Sequence, residues 1–219
     1  MPIPLYFAIH EKDSVSKPKF HAAQCGFGFF TDGTLRLPVN ILPDALAVID
    51  DSILPQKPPS EEAFRKLALC CQFGCLLDFE QTTTPMHTML IQKLAQHSAP
   101  QILFAAPEAF RHPRLLPLIS QPKEPCSWLD FLRKTQEKHP HGWMLEVIPH
   151  THTATLPFAK NQSGYIADSV CLYRQTGRRV QYYESRQTVR KKLSLAEDYE
   201  CRAAIGLYRE LMRLPNESC

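Results

Sequence analysis

No stretch of this sequence approaches the roughly 18–20 consecutive apolar residues that a membrane-spanning helix requires. The N-terminus runs through Pro2 and Pro4 straight into apolar residues, without a basic stretch or a small-residue cleavage site, and so predicts no secretory leader. No CxxC pair occurs, which leaves a thiolate zinc site unsupported. Glycine is scarce, eight residues in 219, and no Gly-rich phosphate loop follows an early strand. The nearest candidate, Gly26-Phe27-Gly28, is followed by no helical pattern, which argues against a dinucleotide-binding, doubly wound sheet. Charge of one sign is also missing: 25 Lys and Arg stand against 22 Asp and Glu, a formal net charge of +3. The basic residues that do gather (Arg174, Arg178, Arg179, Arg186, Arg190, Lys191 and Lys192) are interleaved with Glu184, Glu197 and Asp198. That pattern reads as a solvated face, not as a nucleic-acid stripe. Internal repeats and low-complexity linkers are absent.

What is present describes a globular protein read as a single domain over residues 1–219. Hydrophobic residues make up 44%, and a chain of this length buries roughly 70% of its unfolded surface. The eight cysteines include Cys70, Cys71 and Cys75, set among Leu, Phe and Gly where a thiol behaves as a small hydrophobe. All eight are expected to be reduced, which predicts a cytoplasmic protein.

Apolar runs at Leu5–Ile9, Cys25–Phe30 and Leu46–Ile49 read as strands, and the proline-bearing segments between them, Lys12–Gln24 and Asp32–Asp44, show no helical period. From there the pattern becomes regular. Ser60 caps a helix to about Gln72, with Glu61 and Glu62 at the positive end of its dipole. Cys75–Phe79 is a continuous apolar strand, and Thr84-Pro85 opens a helix to about His97. Strands are predicted at Gln101–Ala105, Leu115–Ile119, Gly142–Ile148 and Ala203–Tyr208. Helices are predicted at Ser127–Lys138, Arg186–Tyr199 and Glu210–Leu214. Tyr165–Tyr173 and Arg179–Tyr183 read as a hairpin joined across Gln175-Thr176-Gly177-Arg178. With the hairpin set aside, eight strands remain, with helices between them from the third onward. That is the order of a compact eight-stranded β/α barrel of the TIM type with reduced early helices. An open doubly wound sheet is the alternative.

In such a barrel the active site lies where the strands end at their C-termini. The polar residues there are His10 and Glu11, Asp50 and Asp51, Asp78 and Glu80, Glu108, Glu146 and His150, and Tyr208. Asp78 and Glu80 stand two apart on one strand, so their side chains leave the same face. Two carboxylates close together in a low-dielectric lumen cannot both ionise cheaply, so one is expected to hold its proton near neutral pH. On spacing alone, the bland assignment of both to a capped, solvated strand end competes with this. His150-Thr151-His152 places two imidazoles on one side of a strand, but no third ligand is indicated, and no metal or cofactor is expected.

The run Phe73-Gly74-Cys75-Leu76-Leu77-Asp78-Phe79-Glu80 resembles the DGxDxDxE strand of the family 18 glycoside hydrolases, the chitinases and endo-β-N-acetylglucosaminidases. It keeps the Gly, the last Asp and the Glu, with Phe73 and Leu76 in place of the first two Asp. Downstream, Tyr183-Glu184-Ser185-Arg186-Gln187-Thr188-Val189 with Lys192 is similar to the family's YDDPxSI…K segment. Ala204-Ile205-Gly206-Leu207-Tyr208 is similar to its last strand, with Tyr208 where Trp is usual. No SxGG is found on the third strand and no clear MxYD on the sixth. The resemblance implies substrate-assisted retaining hydrolysis, in which the sugar's own acetamido oxygen is the nucleophile. Glu80 would be the general acid and Asp78 its assistant, with Asp50, Asp51, Glu108, Glu146 and Tyr208 binding an N-acetylhexosamine-containing glycan. The opposing reading is a barrel without turnover that binds a glycan or a protein, suggested by the missing Asp pair and the shortened crossovers. Oligomeric state and natural ligand are not legible.

Overall fold

The computed structural model describes residues 3–216, apart from Ser14, Ser16, Lys17, Gln81, Pro100, Gln101 and His150. The chain packs as two compact units, Tyr6–Ile119, and Ser120–Cys219 together with Met1–Leu5.

The first unit is a parallel wall. Strands β1 (Leu5–Ile9), β2 (Ala22–Phe29), β4 (Leu46–Asp50), β5 (Cys75–Asp78), β6 (Phe104–Pro107) and β7 (Leu116–Ser120) each pair in parallel with the next. A two-residue strand, β3 (Leu35–Arg36), lies antiparallel to β2. Helix α1 (Glu61–Cys70) begins where Ser60 accepts from Ala63 N–H, as its sequence predicts. Helix α2 (Pro85–His97) begins at Thr84 with Pro at its first position. Both helices turn Phe64, Leu67, Leu90, Ile91 and Leu94 onto the buried faces of β4 and β5, where Ile49, Cys75 and Leu77 meet them. Burying side chains of this size contributes about 1.5–3 kcal/mol each.

The second unit holds α3 (Trp128–Lys138), β8 (Trp143–Glu146), β9 (His152–Ile166), β10 (Cys171–Tyr183), α4 (Arg186–Glu197), β11 (Cys201–Leu207) and α5 (Tyr208–Arg213). Strands β8 and β11 are parallel, and Ala204 N–H donates to the Pro4 carbonyl at 2.9 Å. Trp128, Leu132, Trp143, Met144 and Leu193 form its core. Among the described residues no helix is long and apolar enough to cross a membrane.

The eight strands β1, β2, β4–β8 and β11 and their order are those of the β/α barrel fold. As the prolines suggest, the described residues of the first two connections form no α-helix, only a three-residue 3-10 turn at Glu11–Asp13 and the strand β3. Contrary to expectation, a third connection, between β6 and β7, also lacks one. Its eight residues include Pro113 and are too few for a helix with two loops.

The hairpin is real but its turn is elsewhere. Cys171 pairs with Ile166, so the chain reverses over Ala167-Asp168-Ser169-Val170, not over Gln175–Arg178. Gly177 does take a left-handed conformation, φ 60°, but at a register shift inside the hairpin, where it makes a bulge. The true turn contains neither Gly nor Pro, and its left-handed position is filled by Val170, φ 50°, a β-branched residue for which that conformation is strained. Val170 is buried, so packing holds the turn where local preference does not.

Candidate functional site

In the first unit, β4 and β5 run in register, with Asp50 opposite Asp78. Beyond Asp78 the chain alternates as an extended strand does. Phe79 is buried, ringed by His87 at 4.9 Å and Phe110 at 5.3 Å between centroids, while Asp78 and Glu80 are both exposed on the other side. The shared face expected from their spacing is present. The low-dielectric enclosure is not: both side chains are exposed to water.

The two residues that end β4 have separate roles. Asp50 accepts from the Arg36 guanidinium at 2.6 Å and from Ser52, at its amide (3.1 Å) and at its hydroxyl. The space for that guanidinium exists because residue 28 is glycine. A Cβ there would lie 2.6 Å from Arg36 Nη2 and 3.1 Å from the Asp50 carbonyl oxygen. Asp51 points the other way and is only 3% exposed. Its Oδ1 accepts from Glu80 N–H at 3.0 Å, and its Oδ2 lies 3.1 Å from His87 Nε2. Asp51, expected among the binding residues, thus holds the Glu80 backbone from the buried side. Cys25, on β2, reports the local field: burial first, then Asp78, Asp50 and Asp13, push its thiol up to about 12. Glu108, partly buried, follows β6. His10 and Glu11, exposed beyond β1, border an open pocket with Cys25, Arg36 and Pro38.

The second unit carries a different arrangement. Glu146 ends β8 and accepts from the Ser120 hydroxyl. Tyr208, expected on the last strand, instead opens α5 one residue beyond it and is half-buried. Within the segment similar to YDDPxSI…K, but not anticipated as a pair, Lys192 and Glu184 form a buried ion pair, their side chains 10% and 6% exposed. Lys192 Nζ also lies 4.7 Å from the centre of the Trp128 ring, and Trp128 Nε1–H donates to the Lys192 carbonyl at 3.3 Å. Gln121 completes the group, 3.5 Å from both Glu184 oxygens. Ser185 and Thr188 cap α4 reciprocally, which fixes the Glu184 backbone. Gln121, Trp128, Glu184 and Lys192 line a cavity of about 30 Å³ together with Ser169 and Cys171, room for a water molecule. The Glu184–Lys192 spacing was the signal available in sequence; the partners Gln121 and Trp128, some 64 residues away, were not.

His150 lies outside the described residues, so the two-imidazole arrangement is not assessable there, and among the described residues no group of three metal-ligating side chains occurs. The seven described cysteines are free thiols; Cys219 lies outside.

No family model matches this sequence, and no curated protein does. Solved structures do. The spore cortex-lytic enzyme SleL of Bacillus cereus is 9% identical, with a TM-score of 0.60 over 98% of this chain and 72% of its own. The family 18 chitinase of Cycas revoluta, solved with (GlcNAc)3, is 10% identical, with a TM-score of 0.58 over 94% and 95%. The chitinase-like agglutinin of Robinia pseudoacacia is 12% identical, with a TM-score of 0.57 over 94% and 95%. Identities this low speak to architecture alone, and at that level the likeness spans nearly the whole chain: this is the β/α barrel fold of the family 18 chitinases.

Proposed function

We propose that the protein acts on N-acetylhexosamine-containing glycans, with Glu80 as general acid and Asp78 as its assistant. The observation that carries this is the strand end itself, where the two carboxylates project from one side into open space while Phe79 anchors the other. In the reaction this supports, the acetamido oxygen of the bound sugar attacks the anomeric carbon and the bond to the leaving oxygen breaks. The proton of Glu80 passes to that oxygen. Asp78 stabilises the positive charge of the cyclic intermediate; water then adds at the anomeric carbon, the bond from that carbon to the acetamido oxygen breaks to restore the acetamide, and Glu80 takes its proton back from the water. Because both carboxylates are exposed, a bound sugar would displace water from above the pair, which strengthens the interactions of both with the reacting centre. Glu108 is a binding candidate in the same unit; Glu146 and Tyr208 are candidates in the other.

The Glu80→Gln variant should abolish release of a chromophore from a chitobioside, a loss of about 10²–10⁴-fold for a general acid, with an unchanged thermal midpoint. Asp78→Asn should lower the rate as well. Equal turnover by wild type and Glu80→Gln would exclude the assignment. The second reading, a glycan-binding barrel without turnover, draws support from Phe73 and Leu76, apolar where the resembled motif has Asp, and from a neighbour named as an agglutinin. It predicts binding of chitooligosaccharide by calorimetry with no product from any N-acetylhexosamine substrate.

A further inference from the structure

Glu80 lies two residues past the end of β5, so no strand ladder holds its backbone. What does hold it is a side chain. Asp51 Oδ1 accepts from Glu80 N–H at 3.0 Å, and the same carboxylate is tied at Oδ2 to His87 Nε2, 3.1 Å away. His87 is fully buried, clasped between Phe79 and Phe110 at 4.9 and 5.3 Å between centroids. Its Nδ1 accepts from Thr84 N–H at 3.1 Å and lies 2.9 Å from the Thr84 hydroxyl. An Nδ1 that accepts a backbone N–H carries no proton, so the proton sits on Nε2 and points at Asp51. Each group's partner fixes the next: the cap of α2 sets the imidazole, the imidazole sets Asp51, and Asp51 sets Glu80.

We propose that Asp51 and His87 are positioning residues, a buried strut that fixes the backbone of Glu80 and so the direction in which its carboxyl leaves the strand end. The proposal rests on Glu80 being the acid of the reaction above. A strut of this kind matters because a general acid must stand within hydrogen-bond reach of the leaving oxygen, and displacement by about 1 Å can cost a hundredfold in rate.

In the wild type, the Glu80 amide should exchange its hydrogen as slowly as those of Leu76 and Leu77, and His87 should show the nitrogen shifts of a neutral Nε2–H imidazole. In Asp51→Asn, the amide that replaces the carboxylate cannot serve Glu80 N–H and His87 Nε2–H both as acceptor. Glu80 should then lose at least about tenfold in exchange protection while Leu76 and Leu77 keep theirs, and kcat should fall about tenfold with KM unchanged. His87→Phe, which keeps the aromatic packing and removes both hydrogen bonds, should act in the same direction. A Glu80 amide that exchanges at the rate of a free loop in the wild type overturns the proposal, and so does a folded Asp51→Asn protein with wild-type kcat. A wild type without turnover removes the hydrolytic reading alone, and the strut is then decided by the exchange of the Glu80 amide.

Discussion

The two units place their carboxylates in opposite circumstances. In Tyr6–Ile119, Asp78 and Glu80 are exposed at a strand end, and the buried acid beside them, Asp51, faces inward. In the other unit, Glu184 is sunk into the protein and answered by Lys192, Gln121 and the Trp128 ring. A buried charge is tolerated only with partners, and removing one of them is far costlier than never having had the pair. An exposed charge has no such debt and adds little to stability. The contrast separates groups that hold the fold from groups that face solvent.

The largest effect that would break this contrast is expected at Lys192. Lys192→Met leaves Glu184 buried and uncompensated and should cost about 3–5 kcal/mol, measured by urea denaturation. Adding Glu184→Leu should recover most of the loss, and no recovery would mean the pair is not the reason for it. The next effect belongs to Gly28→Ala, whose new Cβ would press on the Arg36 guanidinium and the Asp50 carbonyl. Overpacking of this kind costs about 1–3 kcal/mol, visible as a lowered thermal midpoint. By contrast, Asp78→Asn and Glu80→Gln should change stability by no more than about 0.5 kcal/mol, as exposed positions do. A large loss at either would assign it to the framework.

Two further tests are finer. Timed alkylation followed by peptide mass analysis should label exposed Cys126 first. Burial pushes the thiols of Cys75 and Cys201 upward, Cys201 to about 12, and these should react only after unfolding. The smallest effect concerns Glu61, on the exposed start of α1. Its hydrogen bonds to Lys93 and His97 hold its carboxyl below the usual value. A carboxyl depressed in the folded state stabilises above its unfolded value, and the gain is lost as pH falls through the folded one. The thermal midpoints of wild type and Glu61→Gln should therefore differ slightly at pH 7 and converge on acidification.

Much of this was legible in the sequence, and the failures have physical causes. Helix starts at Ser60 and Thr84 could be read because a cap is a local device, complete within three residues. The shared side of Asp78 and Glu80 could be read because strand parity is geometric. Their exposure could not, since it depends on what other segments leave uncovered. The hairpin turn was misplaced because Gly177 signals a left-handed residue without saying whether it serves a turn or a bulge. Val170 gives no signal at all, being held in its conformation by burial. The bond from Asp51 to the Glu80 backbone was not legible, because its other partner, His87, lies 36 residues away and enters through a helix cap. Arg36, which neutralises Asp50, was hidden in a proline-bearing connection.

The bond from Ala204 N–H to the Pro4 carbonyl ties together residues 200 positions apart. During synthesis, which proceeds at roughly 5–20 residues per second, Pro4 is made well before its partner. For about 4–17 seconds after Ile119 is made, at that rate, the unit Tyr6–Ile119 has all its own strands available while the Pro4 carbonyl still lacks the Ala204 donor. The entropic cost of closing so long a loop grows only slowly with length, about 0.6 kcal/mol per doubling. The wait, more than the distance, is the hazard, because an unpaired extended segment is a template for the wrong neighbour. Pro4, which lacks an N–H group, makes that segment a poorer template at the time when it is most exposed to error.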